Sequence, residues 1–366
     1  MIPIYKPVIS NKARKFVKDC MDTTWISSQG KYINKFENSL AKFHEMKYCV
    51  ATSNCTTALH LSILSLGLKK GDEVICSALS FIAPANMVLL SNLKLVLVDI
   101  DPVTLNIDEN KIEEKISNKT RAIIVVHQFG HSANMQKIIQ LKKKYNLKII
   151  EDNAESIGGK FRKKLNGTMG DLSTLSFFAN KIITTGEGGA VLTNNKKLYL
   201  KCLEMRDHGM DRNKRYFHKF LGFNYRMTNL QAAIGFSQIN EIKTILRKRD
   251  YQMKYYYKVL SKNKNYKLRE FKNWCQPVHW LTTIILNKKE LRNKLITFLN
   301  KKKIDCRQMV NPINDALHVR KIIKKKYPIA DYISKRAVHL PSGLDLDKKD
   351  INHIASTLNS FFQNEC

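Results

Sequence analysis

Hydrophobic positions change their spacing several times along this chain, and each change predicts an element. Over Thr56–Leu66, residues Leu59, Leu61, Ile63, Leu64 and Leu66 form a broad apolar face at helical spacing. Leu95–Asp99, Ala122–His127 and Leu147–Asp152 are instead nearly continuous runs of β-branched and aliphatic residues, the pattern of buried strands. A helical stretch, Met135–Tyr145, lies between the last two, so this βαβ unit predicts parallel strands. Leu175–Phe178 and Ala190–Thr193 predict two further strands. Such alternation implies an α/β sheet covered by helices on both faces.

Beyond Leu230 the pattern shifts. Asn229–Lys262 predicts an almost unbroken helix, rich in Lys, Arg and Tyr in its second half. A strand at Val278–Leu286, a helix near Lys289–Lys302 and a last helix after Leu346 follow. No Gly/Ser linker intervenes, so the long helix itself is expected to join a large α/β domain (1–240) to a smaller C-terminal α+β domain (241–366).

Composition narrows the class. The chain has 366 residues, 43% hydrophobic and 26% charged, the balance of a globular protein. No apolar run approaches the roughly 18 residues of a membrane-spanning helix. Met1–Pro7 lacks a charged segment followed by an apolar stretch, so no secretory signal and a cytoplasmic location are expected. The eight cysteines (Cys20, Cys49, Cys55, Cys76, Cys202, Cys275, Cys306 and Cys366) include no C-x-x-C pair. Free thiols are therefore expected, with neither a zinc site nor a disulfide framework. The net charge of +32 raises nucleic-acid binding as a reading. However, the lysine runs Lys142–Lys144, Lys301–Lys303 and Lys324–Lys326 each fall on or beside an amphipathic helix, as solvated faces do. With no helix-turn-helix, finger or aromatic RNA-binding signature, the charge is better read as attracting anionic substrates.

The richest stretch chemically is Ser176-Phe-Phe-Ala-Asn-Lys181, followed by the Thr/Gly-rich turn Thr184–Gly189. In a chain so rich in lysine, a lysine before a turn is by default a surface residue. Two other features shift the balance. Asp152 ends a buried parallel strand, where ligand sites of α/β sheets gather. A carboxylate there costs desolvation energy unless it has a cationic partner. A protonated pyridine nitrogen is such a partner, and the pairing keeps a pyridoxal ring an electron sink. Ser53-Asn-Cys-Thr-Thr57 opens a helix with small hydroxyl residues, offering free N–H groups and the positive dipole end to a phosphate. Any helix cap looks alike, so this signal is weak alone. Ser176 could add a hydroxyl. A phosphate seat, a strand-end Asp and a lysine in that order fit pyridoxal 5′-phosphate (PLP).

Four ordered motifs carry a resemblance: Trp25–Gly30, Glu151-Asp-Asn-Ala-Glu-Ser156, Ser176–Gly189 and Gly222-Phe-Asn-Tyr-Arg-Met-Thr-Asn-Leu-Gln-Ala-Ala233. Together they resemble the sugar-nucleotide aminotransferases of the DegT family over nearly the whole chain. The resemblance implies the aspartate-aminotransferase-type PLP fold (fold type I), with a large mixed-sheet α/β domain and a smaller one. It also implies a homodimer with shared active sites and L-glutamate as amino donor. Carried over by motif, Lys181 is the Schiff-base lysine and proton shuttle, and Asp152 pairs with the ring nitrogen. Cys55, Thr56 and Ser176 hold the phosphate, Phe81 stacks on the ring, and Glu155 lies at the 3-hydroxyl side. Asn224 reaches the phosphate in the neighbouring subunit. Ile2–Pro7, Thr23–Ser28 and Leu340-Pro-Ser-Gly343 resemble the GDP-perosamine-forming branch, which aminates C4 of a GDP-linked 4-keto-6-deoxy sugar for surface glycan synthesis. Met309–Asp315 departs from it, with Asn314 where that branch carries His.

Other readings remain to be weighed. A dehydratase branch of the same fold carries His in place of the Schiff-base lysine, which Lys181 opposes. A non-catalytic sugar-nucleotide sensor predicts loss of Lys181 or Asp152, and both are present. A dehydrogenase needs G-x-G-x-x-G after the first strand, and none occurs. Nucleic-acid binding, and amination at C3 of a different nucleotide sugar, stay as alternatives.

Overall fold

A computed structural model describes residues 1–365. Its main sheet has seven strands: β1 (Tyr48–Thr52), β2 (Glu73–Ser77), β3 (Lys94–Val98), β4 (Thr120–Val126), β5 (Lys148–Asp152), β8 (Leu172–Ser176) and β9 (Gly189–Thr193). The spatial order is β1-β9-β8-β5-β4-β2-β3. All pairings are parallel except those of β9, which runs antiparallel to both β1 and β8. β2 and β8 are buried along their whole length, which explains the absence of polar alternation. Helices Cys55–Ser65 and Met135–Tyr145 contribute to two separate apolar clusters that include residues from opposite sides of the same strands.

A small three-stranded sheet joins β6 (Lys160–Phe161), β7 (Lys164–Leu165) and β11 (Cys275–Gln276). A second substantial sheet, order β10-β12-β14-β13, is built from β10 (Tyr266–Leu268), β12 (Thr282–Leu286), β13 (Arg307–Gln308) and β14 (Ala337–Leu340). It shares a separate core with the helices Ile242–Leu260, Leu291–Lys301 and Lys348–Glu365. The first residues of the chain lie on this second unit: Ile2 bridges Ile304, and Ile4 O accepts from Ser342 N at 2.8 Å.

Two expectations need correction. The helix expected over Asn229–Lys262 is two helices, Asn229–Asn240 and Ile242–Leu260, broken at Glu241 (φ −98°, ψ 1°). The apolar run Val278–Leu286 is a strand only from Thr282 onward. Val278 N–H bonds to Gly130 O at 3.1 Å, so this stretch packs against the main sheet's loops before it can pair as a strand. Seven cysteines are free thiols, and Cys366 lies outside the described residues. Among the described residues no helix is long and apolar enough to cross a membrane, and no cluster of ligand-type side chains could hold a metal ion.

Candidate active site

At the carboxyl ends of β4, β5 and β8 lies a cavity of about 540 Å³. It is lined by seven of the eight residues the sequence singled out: Cys55, Thr56, Phe81, Asp152, Glu155, Ser176 and Lys181. Strand-end placement in a largely parallel sheet is what gathers them, since strand carboxyl ends and following loops share one edge.

The anion seat is built by a helix start. Asn54 caps the helix Cys55–Ser65: its Oδ1 accepts from Thr57 N at 2.9 Å, and Thr57 Oγ1 in return accepts from Asn54 N at 3.4 Å. The amides of Cys55 and Thr56 precede the first helical acceptor and remain free to face an anion. Gly189 lets β9 pass directly behind this turn. A Cβ there would sit 2.4 Å from the carbonyl carbon of Asn54 and 2.6 Å from Cys55 N. Ser176, nearly buried, completes this side of the cavity, and its Oγ accepts weakly from Phe178 N at 3.4 Å.

Asp152 and its neighbour Glu151 point in opposite senses along β5, as alternate strand residues must. Glu151 is fully buried away from the cavity. Its oxygens accept from Gly167 N at 2.9 Å and Met169 N at 2.6 Å, and from His127 Nε2 at 2.9 Å. Burial alone would raise its pKa, but the His127 and backbone hydrogen bonds bring it below the ordinary value. Asp152 is supported far less. Ala154 N donates to its Oδ1 at 3.1 Å and Thr174 Oγ1 at 3.4 Å, while Oδ2 has no hydrogen-bond partner among the described residues. Burial raises the Asp152 pKa against the pull of Ala154 N–H and Lys181. Glu155 behaves likewise: burial raises its pKa, opposed by Lys181 and by the Phe129 N–H bonded to Oε2 at 2.7 Å.

Lys181 faces these acids. Its Nζ lies 3.7 Å from Glu155 Oε1 and 3.8 Å from the centroid of the Trp280 indole. Its side chain is only 12% exposed, so this is not the solvated surface lysine of the default reading. Phe81, by contrast, lines the cavity with 61% of its surface open, leaving a ring face available for stacking.

Asn224 stands apart. It is exposed and absent from the cavity wall, with its Oδ1 accepting from Arg226 Nε at 3.0 Å and Arg226 Nη1 paired to Asp207 at 2.9 Å. The sequence reading missed several wall residues, among them Phe129, Trp280, Arg307 and His339. Phe129 stacks on Trp280 at 5.9 Å, and its ring lies 4.9 Å from that of His339, whose pKa burial drives down to about 3. Only the aromatic pair in Pro277-Val-His-Trp280 offered a sequence signal, and it read as strand core.

The residues fit PLP. A carboxylate oxygen of the buried Asp152 with no partner among the described residues suits a pyridinium N–H, free helix-start amides suit a phosphate, and a shielded amine stands beside Glu155.

Comparison with known proteins places these features in context. Residues 7–359 match the DegT/DnrJ/EryC1/StrS aminotransferase family. GDP-perosamine synthase of Escherichia coli O157:H7 is 40% identical over 370 residues, covering 100% of this chain and 99% of that one. Among solved structures, the Helicobacter pylori aminotransferase PseC superposes with a TM-score of 0.94 at 26% identity, over 99% of both chains. The E. coli GDP-4-keto-6-deoxy-D-mannose-3-dehydratase, solved with bound hydrated PLP, superposes at 0.92 and 25% identity, over 98% of this chain and 99% of that one.

Proposed function

Because this chain belongs to the DegT/DnrJ/EryC1/StrS aminotransferase family, we propose that it moves the amino group of L-glutamate onto C4 of a GDP-linked 4-keto-6-deoxy sugar. The enzyme is a PLP-dependent sugar-nucleotide aminotransferase of fold type I. The GDP-perosamine assignment is supported by the full-length similarity to the E. coli O157:H7 synthase. One observation carries the catalytic reading: Lys181 Nζ, shielded from water, shares a cavity with the under-partnered Asp152 and an anion seat.

When bound, PLP supplies the electron sink that carries the amino group between the two substrates. In this reading Lys181 would anchor the cofactor, and its Nζ would accept and return a proton beside it; such general acid–base help contributes about 10²–10⁴ in rate. Asp152 would hold the ring nitrogen protonated through its free oxygen. The amides of Cys55 and Thr56, with Ser176 Oγ, would hold the phosphate. Phe81 would cover one ring face, and Glu155 would lie at the 3-hydroxyl side. Low exposure of Lys181 and Glu155 limits competing hydrolysis.

The homodimer with shared sites is part of the same proposal. Asn224 would serve the partner's phosphate, which accounts for a motif residue lying outside its own cavity. We further place the enzyme in the cytoplasm, feeding a surface polysaccharide, and read residues 1–240 and 241–366 as its two domains.

A second reading, a different nucleotide sugar, is favoured by Asn314. Among the described residues its buried Oδ1 has no hydrogen-bond partner, in the turn Ile313–Asp315 that follows the cavity residues Gln308 and Val310. Purified enzyme assayed with glutamate against GDP-, dTDP- and UDP-linked 4-keto-6-deoxy sugars separates the two. The proposal expects turnover of the GDP sugar by at least about tenfold in kcat/KM, some 1.4 kcal/mol of discrimination. Preference for another nucleotide, or amination at C3, overturns it.

A further inference from the structure

The long helix Ile242–Leu260 carries a cation where none is expected. Arg249 is 0% exposed, and among the described residues no carboxylate lies within ion-pair distance of its guanidinium. Nη1 donates to Ser342 O at 2.6 Å and to Trp280 O at 3.4 Å; Nη2 donates to the Tyr5 hydroxyl at 2.7 Å, and Nε has no partner. Tyr5 in turn donates its hydroxyl hydrogen to Lys181 O at 2.6 Å. Burial accordingly lowers the Arg249 pKa.

Asp345 opposes this fall without making an ion pair, and a buried cation with no direct carboxylate contact costs far more than an apolar side chain of the same size. Stability therefore does not explain its presence, and its contacts suggest another reason. Through one carbonyl and one hydroxyl, Arg249 reaches the main chain of both residues that meet at the cavity, Trp280 and Lys181. The two are tied to each other as well: Trp280 Nε1 donates to Asn180 O at 2.7 Å, and its ring lies under Lys181 Nζ at 3.8 Å. The same helix grips the neighbouring segment through Tyr256, which donates to Pro341 O at 2.7 Å, and Gln252, which donates to Gly343 O at 3.0 Å.

We propose that Arg249 and Tyr5 are positioning residues that fix the main chain at Lys181 and Trp280, and so set where Nζ stands relative to the cofactor. This rests on Lys181 being the cofactor lysine. The planar, always-charged fork of arginine is suited to the task, because it holds two directions at once.

Tyr5→Phe keeps the ring and removes only the hydroxyl link. Three readouts follow: hydrogen exchange of the Phe178–Ile183 peptide in cofactor-free protein, the visible circular-dichroism band of the loaded enzyme, and kcat. The expected result is faster exchange, a changed band and a kcat lower by about ten- to a hundredfold, the loss typical of a hydrogen bond to a charged partner. KM for the nucleotide sugar should hold within about twofold, because the link holds Lys181 rather than the sugar. Arg249→Lys, which cannot keep both directions, should behave like Tyr5→Phe. Tyr256→Phe, a matched loss of a buried hydroxyl bond from the same helix, should lower the melting temperature and leave exchange, band and kcat unchanged. Wild-type values in Tyr5→Phe, or equal changes in Tyr256→Phe, overturn the proposal. Lys181→Ala distinguishes the layers: if it is inactive while Tyr5→Phe is silent, only the positioning role falls.

Discussion

Asp152→Asn preserves the shape of the side chain at the end of β5 and removes its charge. In the native chain that carboxylate is 5% exposed and held only by Ala154 N and a long contact from Thr174, both on Oδ1. Burial outweighs these and raises its pKa. A group whose folded pKa lies above its unfolded value contributes stability that is fully present below the unfolded pKa and is lost as pH rises through the folded one. Above that window, at neutral pH, the cofactor-free protein therefore carries a charged and poorly compensated Asp152. Asn should leave its melting temperature equal or higher. The loaded enzyme should move the other way. If the ring nitrogen is the missing partner, breaking a buried charge pair costs about 3–5 kcal/mol. At 1.4 kcal/mol per decade, that is a fall of about 10²–10³·⁵ in turnover. Single-turnover rates of each half-reaction, with melts of cofactor-free and loaded protein at neutral pH, test both signs. Wild-type rates in both half-reactions, or a cofactor-free variant that loses several degrees, would refute the reasoning and make Asp152 a structural residue.

Lys181→Ala should abolish turnover and leave the melting temperature of cofactor-free protein close to wild type, since among the described residues Nζ makes no hydrogen bond and its ion-pair distance to Glu155 is 3.7 Å; full activity in the purified variant sinks the assignment. Mixing Lys181→Ala with an inactive Asn224→Ala should restore part of the activity through hybrid dimers, and no recovery after confirmed subunit exchange counts against a shared site. A large molar excess of duplex DNA or RNA should leave the kinetics unchanged at physiological salt, where long-range steering is screened beyond about 8 Å. Inhibition at stoichiometric nucleic acid would restore the binding hypothesis.

The main strands were legible because a sheet buried on both faces admits little polar alternation, so β3, β4 and β5 carry aliphatic centres with polar residues only at their ends. Asp152 was legible for a different reason, a charge where burial is due, whereas Lys181 and the Ser53–Thr57 helix start are locally ordinary and gained weight only from their order with Asp152 and from the family motifs. The errors fall where local pattern and tertiary demand disagree. Val278–Trp280 has the apolar character of a strand, but its residues pack against Gly130 and under Lys181. The helix break at Glu241 has no glycine or proline to announce it.

What the sequence by itself determined is the set of elements and the chemical inventory, because hydrophobic period and capping act over a few residues. The placement of β9 antiparallel between β1 and β8 came only with the fold, as did the close pass of Gly189 behind Asn54. So did the walls added by Trp280, Phe129 and His339, and the link from Arg249 through Tyr5 to Lys181. Apart from the β8–β9 pairing, these contacts join residues a hundred or more positions apart, and no local spacing encodes such a distance. They exist because packing brings the ends of β4, β5 and β8 against the segments of Trp280 and His339, and the side chains that face the cavity between them are chosen by that packing.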